Sequence, residues 1–249
     1  MQPTSRAEHE IEHGRFLAEA GAEDVWGWGT PAGKIRARRR ADFIGGGAKL
    51  SPGMNVLEVG CGTGNFTEML AGSGASIVAV DISPELLVFA NQRNLPADRV
   101  KFIAARFEDC DLHGPFDAIV GSSVLHHLDY SVALARIFEM LKPGGVLSFA
   151  EPNMLNPQIA IQKNISAIKR RLGDSPDETA FVRFKLRKLL EQIGFVDVWI
   201  KPFDWLHPRT PRVMIPIVSG LGRVVEVIPG LREFSGSLYI RARKPASLM

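Results

Sequence analysis

The segment Val56-Leu-Glu-Val-Gly-Cys-Gly-Thr-Gly64 sets an acid, Glu58, two residues before the first of three glycines, Gly60, Gly62 and Gly64. Such a turn lets a ligand approach the backbone, because glycine has no Cβ. Amide donors at the start of a following helix suit an anion such as a carboxylate. Asp81 closes the next apolar run, 21 positions after Gly60. A carboxylate there can accept hydrogen bonds from two ribose hydroxyls and repels a 2′-phosphate. The glycine spacing is not the G-x-G-x-x-G that cradles a pyrophosphate. The expected ligand is therefore a nucleoside with a free ribose and no pyrophosphate. A third group is His126-His127. A neutral imidazole can take a proton from a hydroxyl, since its ordinary pKa lies near neutrality; the pair could equally serve only as packing.

The elements that must position these groups can be traced by apolar runs and their punctuation. Strands are expected at 54–59, 76–81, 100–104, 116–122 and 146–151, with helices between them at 64–72 and 131–141 and one opened by Pro84. A further helix over 181–193 is stopped by Gly194, and strands at 196–201 and 237–243 complete the pattern. Pro143-Gly144-Gly145 reads as the end of the helix before the fifth strand. Alternation of this kind predicts an α/β fold, a doubly wound and mostly parallel sheet with helices on both faces. Residues 1–48 read as helical. The stretches 152–180 and 202–234 are too long for ordinary loops, so with 1–48 they are expected to form a lid over a core at 49–151.

Composition limits the alternatives. With 249 residues and 45% hydrophobic content the chain can bury a full core as one domain. Cys61 and Cys110 are the only cysteines. Cys61 lies in the glycine turn and no metal-ligand spacing accompanies it, so neither a disulfide nor a metal is expected. The start, with Glu8, Glu10 and Glu12, is unlike a signal peptide, and no uncharged apolar run is long enough to span a bilayer. A cytoplasmic location is the default expectation.

Val56–Gly64 resembles motif I of the class I S-adenosylmethionine (SAM)-dependent methyltransferases, in the form found in small-molecule enzymes of the ubiquinone/menaquinone type. Val80-Asp-Ile-Ser-Pro84 resembles the following motif, Phe116–Leu128 the one carrying a His-His pair, and Leu141-Lys-Pro-Gly-Gly-Val-Leu147 the last core signature. The resemblance is close over about 50–151 and holds only in pattern over 180–243. It implies a seven-stranded Rossmann-like methyltransferase fold whose last strand is inserted antiparallel, with SAM as cofactor and a small-molecule acceptor. It also implies cofactor contacts from Glu58, Gly60, Cys61, Gly62, Gly64, Asp81, Ile82 and Ser122, and a pocket role for His126 and His127, with His127 the preferred base. Asp129 and Tyr130 could assist.

One position departs from the family pattern. Where an acid commonly accepts the adenine amino hydrogen bond, this chain has Arg106, and a guanidinium cannot accept. Glu108, Asp109 or a backbone carbonyl would have to substitute, with Phe107 able to stack on the ring. Trp26, Trp28 and Arg36 could touch the cofactor, an indole face favouring a sulfonium. The basic runs 36–40, 169–171 and 183–188 read as solvated faces, or else as recognition of an anionic substrate. Residues 213–229 read as a buried covering element, the floor of a hydrophobic pocket, or a membrane-surface segment.

The expected reaction is methyl transfer to a small, partly hydrophobic molecule, with oxygen as the acceptor atom. The alternatives are a SAM-binding subunit without activity, which Arg106 favours, and a nucleic-acid methyltransferase. Against the latter, Gly121-Ser-Ser-Val-Leu125 replaces the Pro-Pro-aromatic turn of base-flipping enzymes, and a net charge of +3 is only mildly basic.

Overall fold

A computed structural model describes residues 6–112, 114–172 and 174–246; the first five residues of the polar N-terminal segment lie outside the described residues. Helices α1 (Arg6–Ala20), α2 (Ala22–Val25) and α3 (Pro31–Ala48) come first. Thr30 starts α3 by accepting from Gly33 N at 2.9 Å, with Pro31 at the first helical position, where its missing N–H leaves nothing unpaired. The inward residues of α3 are Ala37, Arg40, Ala41, Ile44 and Ala48, a stripe with helical period. Small residues on that stripe let the helix lie close to the sheet. At Gly47 an added Cβ would stand 1.6 Å from the Tyr239 hydroxyl.

Seven strands follow: β1 (Asn55–Val59), β2 (Ser76–Asp81), β3 (Val100–Ala104), β4 (Phe116–Ser122), β5 (Leu141–Pro152), β6 (Val196–Phe203) and β7 (Ser237–Arg243). They form one sheet in the order β3-β2-β1-β4-β5-β7-β6. β7 runs antiparallel to both neighbours, and the remaining pairs are parallel. Between them lie α4 (Asn65–Ala71), α5 (Pro84–Asn91), α6 (Tyr130–Met140), α7 (Pro157–Asn164), α8 (Ser166–Arg171), α9 (Arg183–Ile193) and α10 (Ile215–Val225). The sequence order reverses between β1 and β4, so a crevice opens at their C-terminal ends, the place where such sheets bind ligands. Two apolar clusters pack the sheet, one including Leu57, Ile119, Phe149 and Ile240, the other Val56, Ala79, Val120 and Tyr239. Consecutive residues of one strand, Val56 and Leu57, fall into different clusters because side chains alternate across a sheet.

Three expectations about elements need correction. β5 starts at Leu141, not Val146: the Pro143-Gly144-Gly145 run sits inside the paired segment, where Leu141 opposes Phe116 across a register shift. The helix expected over 181–193 shortens, since α9 begins at Arg183 and Phe181 instead bridges Asn153. The segment 213–229 is not a buried covering, because Ile217, Leu221 and Val224 on α10 are exposed. No helix among the described residues is long and apolar enough to cross a membrane.

Candidate functional site

The crevice is a cavity of about 590 Å³ lined from three directions. The strand ends and turns supply Gly60, Cys61, Gly62, Asp81, Ile82, Ser122 and Ser123; α1 and the α2–α3 region supply Glu10, His13, Trp26, Trp28, Arg36 and Arg40. The stretches after β5 and β6 add Gln158, Lys163, Glu178, Leu206 and His207.

The glycine turn is built tightly. Gly60 has φ 67°, and a Cβ there would lie 2.1 Å from Val124 Cγ2. Gly62, at φ 52°, would bring a Cβ to 3.1 Å from the Trp26 ring, and its amide donates to Asp81 Oδ2 at 2.7 Å. Ser83 N donates to the other oxygen at 2.9 Å. Two backbone amides thus fix the Asp81 carboxylate at the cavity wall, each oxygen keeping a free lone pair. Burial raises the Asp81 pKa, and the amides of Ser83 and Gly62 oppose that rise.

Glu58 lies beneath the turn, fully buried, with Oε2 lacking a hydrogen-bond partner. Burial, with the Asp81 charge nearby, pushes its pKa up to about 7. It does not line the cavity, so a ligand's ammonium would reach it only through an intervening group. Cys61 is buried and its thiol pKa is driven well up by burial and the Asp81 and Glu58 charges, which leaves it neutral. Phe107 lines the cavity yet is 3% exposed and belongs to the core beside Leu57 and Val80. Arg106 faces Asp109 at 3.3 Å and Glu108 at 3.5 Å, so neither acid beside it is unengaged. Asp129 caps α6 through Ser131 N and Val132 N, and Tyr130 stacks edge-on against Phe181; neither lines the cavity.

Arg40 was hidden in a run that reads as a solvated basic face. The structure buries it to 3% exposure. Its guanidinium donates to Ser123 Oγ at 2.9 Å, Ser122 Oγ at 3.3 Å, Ala150 O at 3.3 Å and Ser237 Oγ at 2.5 Å. It stacks over Trp28, as does Arg36 from 5.3 Å. Arg36 is paired with Asp204 at 2.8 Å, whereas Arg40 forms no ion pair among the described residues, its Nε has no hydrogen-bond partner, and the Asp204 and Glu151 charges act on it without direct pairing. Burial, and the Arg36 charge, lower the Arg40 pKa to about 10. A buried cation without a counter-ion is costly, and an anion in the cavity would relieve it. The signal for this in the sequence was the Ala37-Arg40-Ala41-Ile44 stripe.

The histidines join a second polar cluster. His126 Nδ1 is 2.6 Å from Glu151 Oε2, and the other Glu151 oxygen accepts from Val124 N and Leu125 N at 3.0 Å. This buried carboxylate holds the imidazole with Nε2 toward Glu178 Oε1, 3.3 Å away. His127 Nδ1 is 2.9 Å from Glu10 Oε2, off the line of an N–H hydrogen bond, and its Nε2 is 4.0 Å from Glu178. Burial would lower the His127 pKa, but Glu178 and Glu10 outweigh it and raise it to about 9. Burial likewise opposes, and the facing His127, His126 and Lys163 overcome, so that the Glu178 pKa falls well below its usual value. His127 is therefore an imidazolium at neutral pH, rather than the neutral base that the sequence suggested. His126, His127 and Glu178 bring one ligand-type atom each within 4.8 Å of one another, a donor set of the kind that binds divalent cations. Lys163 Nζ already rests on the Glu178 oxygen. Sequence spacing could not show this set, because Glu178 comes from a different part of the chain. α1 closes over the cluster: Arg6 donates to His127 O at 3.2 Å and Leu128 O at 2.6 Å, and Ser175 Oγ donates to Glu10.

Comparison with known proteins now has a geometry to bear on. Residues 56–145 match the family model of a methyltransferase domain. The chain is 33% identical over 158 residues to a ubiquinone biosynthesis O-methyltransferase of Xanthomonas campestris pv. campestris, an alignment covering 61% of this chain and 65% of the relative. It is 28% identical over 208 residues to a 2-methyl-6-phytyl-1,4-hydroquinone methyltransferase of Synechocystis, covering 78% and 64%. The chain thus spans just under two thirds of the length of each. Among solved structures, it superposes with TM-score 0.62 on the N-methyltransferase NodS from Bradyrhizobium japonicum in complex with S-adenosyl-L-homocysteine, at 20% identity over 95% of this chain and 98% of that one. The [4+2]-cyclase SpnF gives TM-score 0.67 at 20% identity, over 98% of both chains. These two likenesses establish the fold, which by itself leaves the reaction open.

Residues 56–145, which hold the glycine turn, are similar to a methyltransferase domain, set in a sheet of the same fold as these solved structures.

Proposed function

We propose that this chain is a SAM-dependent methyltransferase acting on an oxygen of a small, partly hydrophobic molecule. We further propose that it is a single domain, in which residues 1–48, 152–180 and 202–234 cover a cofactor-binding core at 49–151. The observation that carries the reading is a cavity with a fixed ribose-type acceptor, Asp81, at one side and a buried cation, Arg40, whose Nε has no hydrogen-bond partner, at another. A nucleoside whose tail ends in an amino acid fits both, and SAM is such a molecule. When bound, it supplies a methyl group made electrophilic by the adjacent sulfonium.

The residues of this chain then have separable tasks. Asp81 accepts from the ribose hydroxyls. Arg40 faces the tail carboxylate, a charge-assisted contact, and Glu58 balances the ammonium from beneath the turn. Ile82 and Phe107 offer apolar surface to the base, and Trp28 and Trp26 wall the cavity. His126 and His127 stand at the acceptor side with Glu10 and Glu178. An imidazolium at His127 holds an acceptor oxygen by donating a hydrogen bond, and Glu178 and Glu10 keep that imidazole charged. Positioning of the acceptor in line with the transferring group, with water excluded by α1, can supply roughly 7–11 kcal/mol of the barrier.

The relatives named for ubiquinone biosynthesis and for a phytyl hydroquinone support a hydroxylated aromatic ring as acceptor class. The deciding experiment incubates the chain with SAM and a panel of catechols, hydroquinones and non-aromatic alcohols, and follows S-adenosylhomocysteine by mass spectrometry. Formation that depends on a hydroxylated ring supports the proposal. Tight SAM binding with no product across the panel would replace it with the reading of a binding subunit.

A further inference from the structure

α10 is apolar on both sides. Ile215 and Gly222 are buried, Gly222 so near Trp205 that an added Cβ would stand 2.9 Å from that side chain's Cβ. On the opposite side Ile217, Leu221 and Val224 follow i, i+4, i+7 spacing and are 55%, 63% and 57% exposed. Val213 and Val227, beyond its two ends, are more exposed still. A helix apolar all round is ordinarily covered all round, and contiguous exposed patches of this kind mark interaction surfaces.

The charge around the patch says what covers it. Residues 205–225 contain Arg209, Arg212 and Arg223 and no Asp or Glu; residues 157–172 again contain no acid and, besides Lys163, which is buried against Asp174 and Glu178, carry Lys169, Arg170 and Arg171. The chain as a whole is nearly balanced, with 30 basic and 27 acidic residues, so these two segments stand apart. They are also neighbours. Gln158 Nε2 lies 3.2 Å from His207 Nε2, so the two segments meet near their N-terminal ends. The α7–α8 side adds exposed Ile161, Ile165 and Leu172. A second copy of this chain joined by a two-fold axis would set the same arginines near one another. A bilayer with anionic headgroups matches both features, accepting apolar side chains at the acyl boundary and arginines at the phosphates.

We propose that α10, with α7 and α8 beside it, is a docking surface for an anionic lipid bilayer. Gln158, Ile159, His207 and Arg209 both line the cavity and lie on this side of the molecule, so docking turns the cavity toward the lipid. The inference goes beyond the proposed methyl transfer and is independent of it, because docking needs neither cofactor nor turnover.

Flotation with vesicles tests it on the full chain. Vesicles of phosphatidylcholine mixed with phosphatidylglycerol should carry the chain, pure phosphatidylcholine vesicles should not, and high salt should release it. Leu221→Glu with Val224→Glu, and separately Arg212→Glu with Arg223→Glu, should lower the bound fraction about tenfold or more. Val88→Glu, at an exposed site on α5, should leave it unchanged. All these side chains are exposed, so an unaltered circular dichroism melt verifies that folding is intact. Absence of flotation with the anionic vesicles, or flotation that the α10 variants do not weaken, overturns the proposal. So does a dimer in sedimentation that Leu221→Glu splits while no vesicle is bound. Loss of methyl transfer in any acceptor assay leaves the docking result standing, and the reverse also holds.

Discussion

Arg40 and His127 are charged side chains whose surroundings ask opposite things of them. Arg40 has hydroxyl and carbonyl partners and, among the described residues, no carboxylate paired with it directly. Replacing it by methionine keeps much of its volume and removes a buried charge, which is often neutral or stabilising. Arg40→Met should therefore leave the unfolding midpoint equal or higher while weakening S-adenosylhomocysteine binding at least about tenfold, the worth of one charge-assisted hydrogen bond. Titration calorimetry reads the second quantity, and an unchanged affinity would remove Arg40 from the cofactor site. His127 is over-supplied with carboxylates, Glu10 and Glu178. Its pKa is raised from 6.5 to about 9, so its contribution to stability is complete below pH 6.5 and disappears as the pH climbs through 9. The thermal midpoint of the wild type should fall across that window, and the fall should shrink in His127→Gln. Equal pH profiles for the two proteins would show that the ion pairs do not hold α1.

At the scale of elements, the strand–turn–helix unit β1–α4 sets the cofactor geometry. Gly60→Ala places a Cβ 2.1 Å from Val124 at a positive φ, so the turn must open. We expect a loss of about 1–3 kcal/mol in stability together with weakened binding of S-adenosylhomocysteine, read by urea titration and calorimetry. The turn, and the strands β2, β3, β4 and β7, were legible because buried apolar runs ended at Gly, Pro or Asp produce the same pattern in any context. The start of β5 was not, since Pro143-Gly144-Gly145 stops a helix and also lies in the strand that follows, and only pairing with β4 reveals the second fact. Arg40 was obscured by Arg36, Arg38 and Arg39 around it: on one helix Arg38 stays exposed while Arg40 turns inward. The His126–Glu178 contact depends on how 152–180 folds back, which no local pattern records. The outward apolar face of α10 was misread for the opposite reason, because hydrophobicity alone predicts burial.

Over the whole molecule, stability rests on two apolar layers separated by the sheet. Phe149 is fully buried on β5, the strand between β4 and β7. Phe149→Ala should cost about 3–5 kcal/mol, seen as a lower urea midpoint at unchanged slope, and a small effect would mean that the layer collapses around the vacancy. The same sheet explains an asymmetry in how the chain must come into being. β7 is synthesised after β6 yet lies inside it. Until residues 237–243 leave the ribosome, β5 keeps one flank of unsatisfied N–H and C=O groups and β6 has no strand to pair with, the kind of rim that recruits stray strands from other chains. The yield of native protein therefore depends on how quickly those seven residues follow β6 to fill the gap.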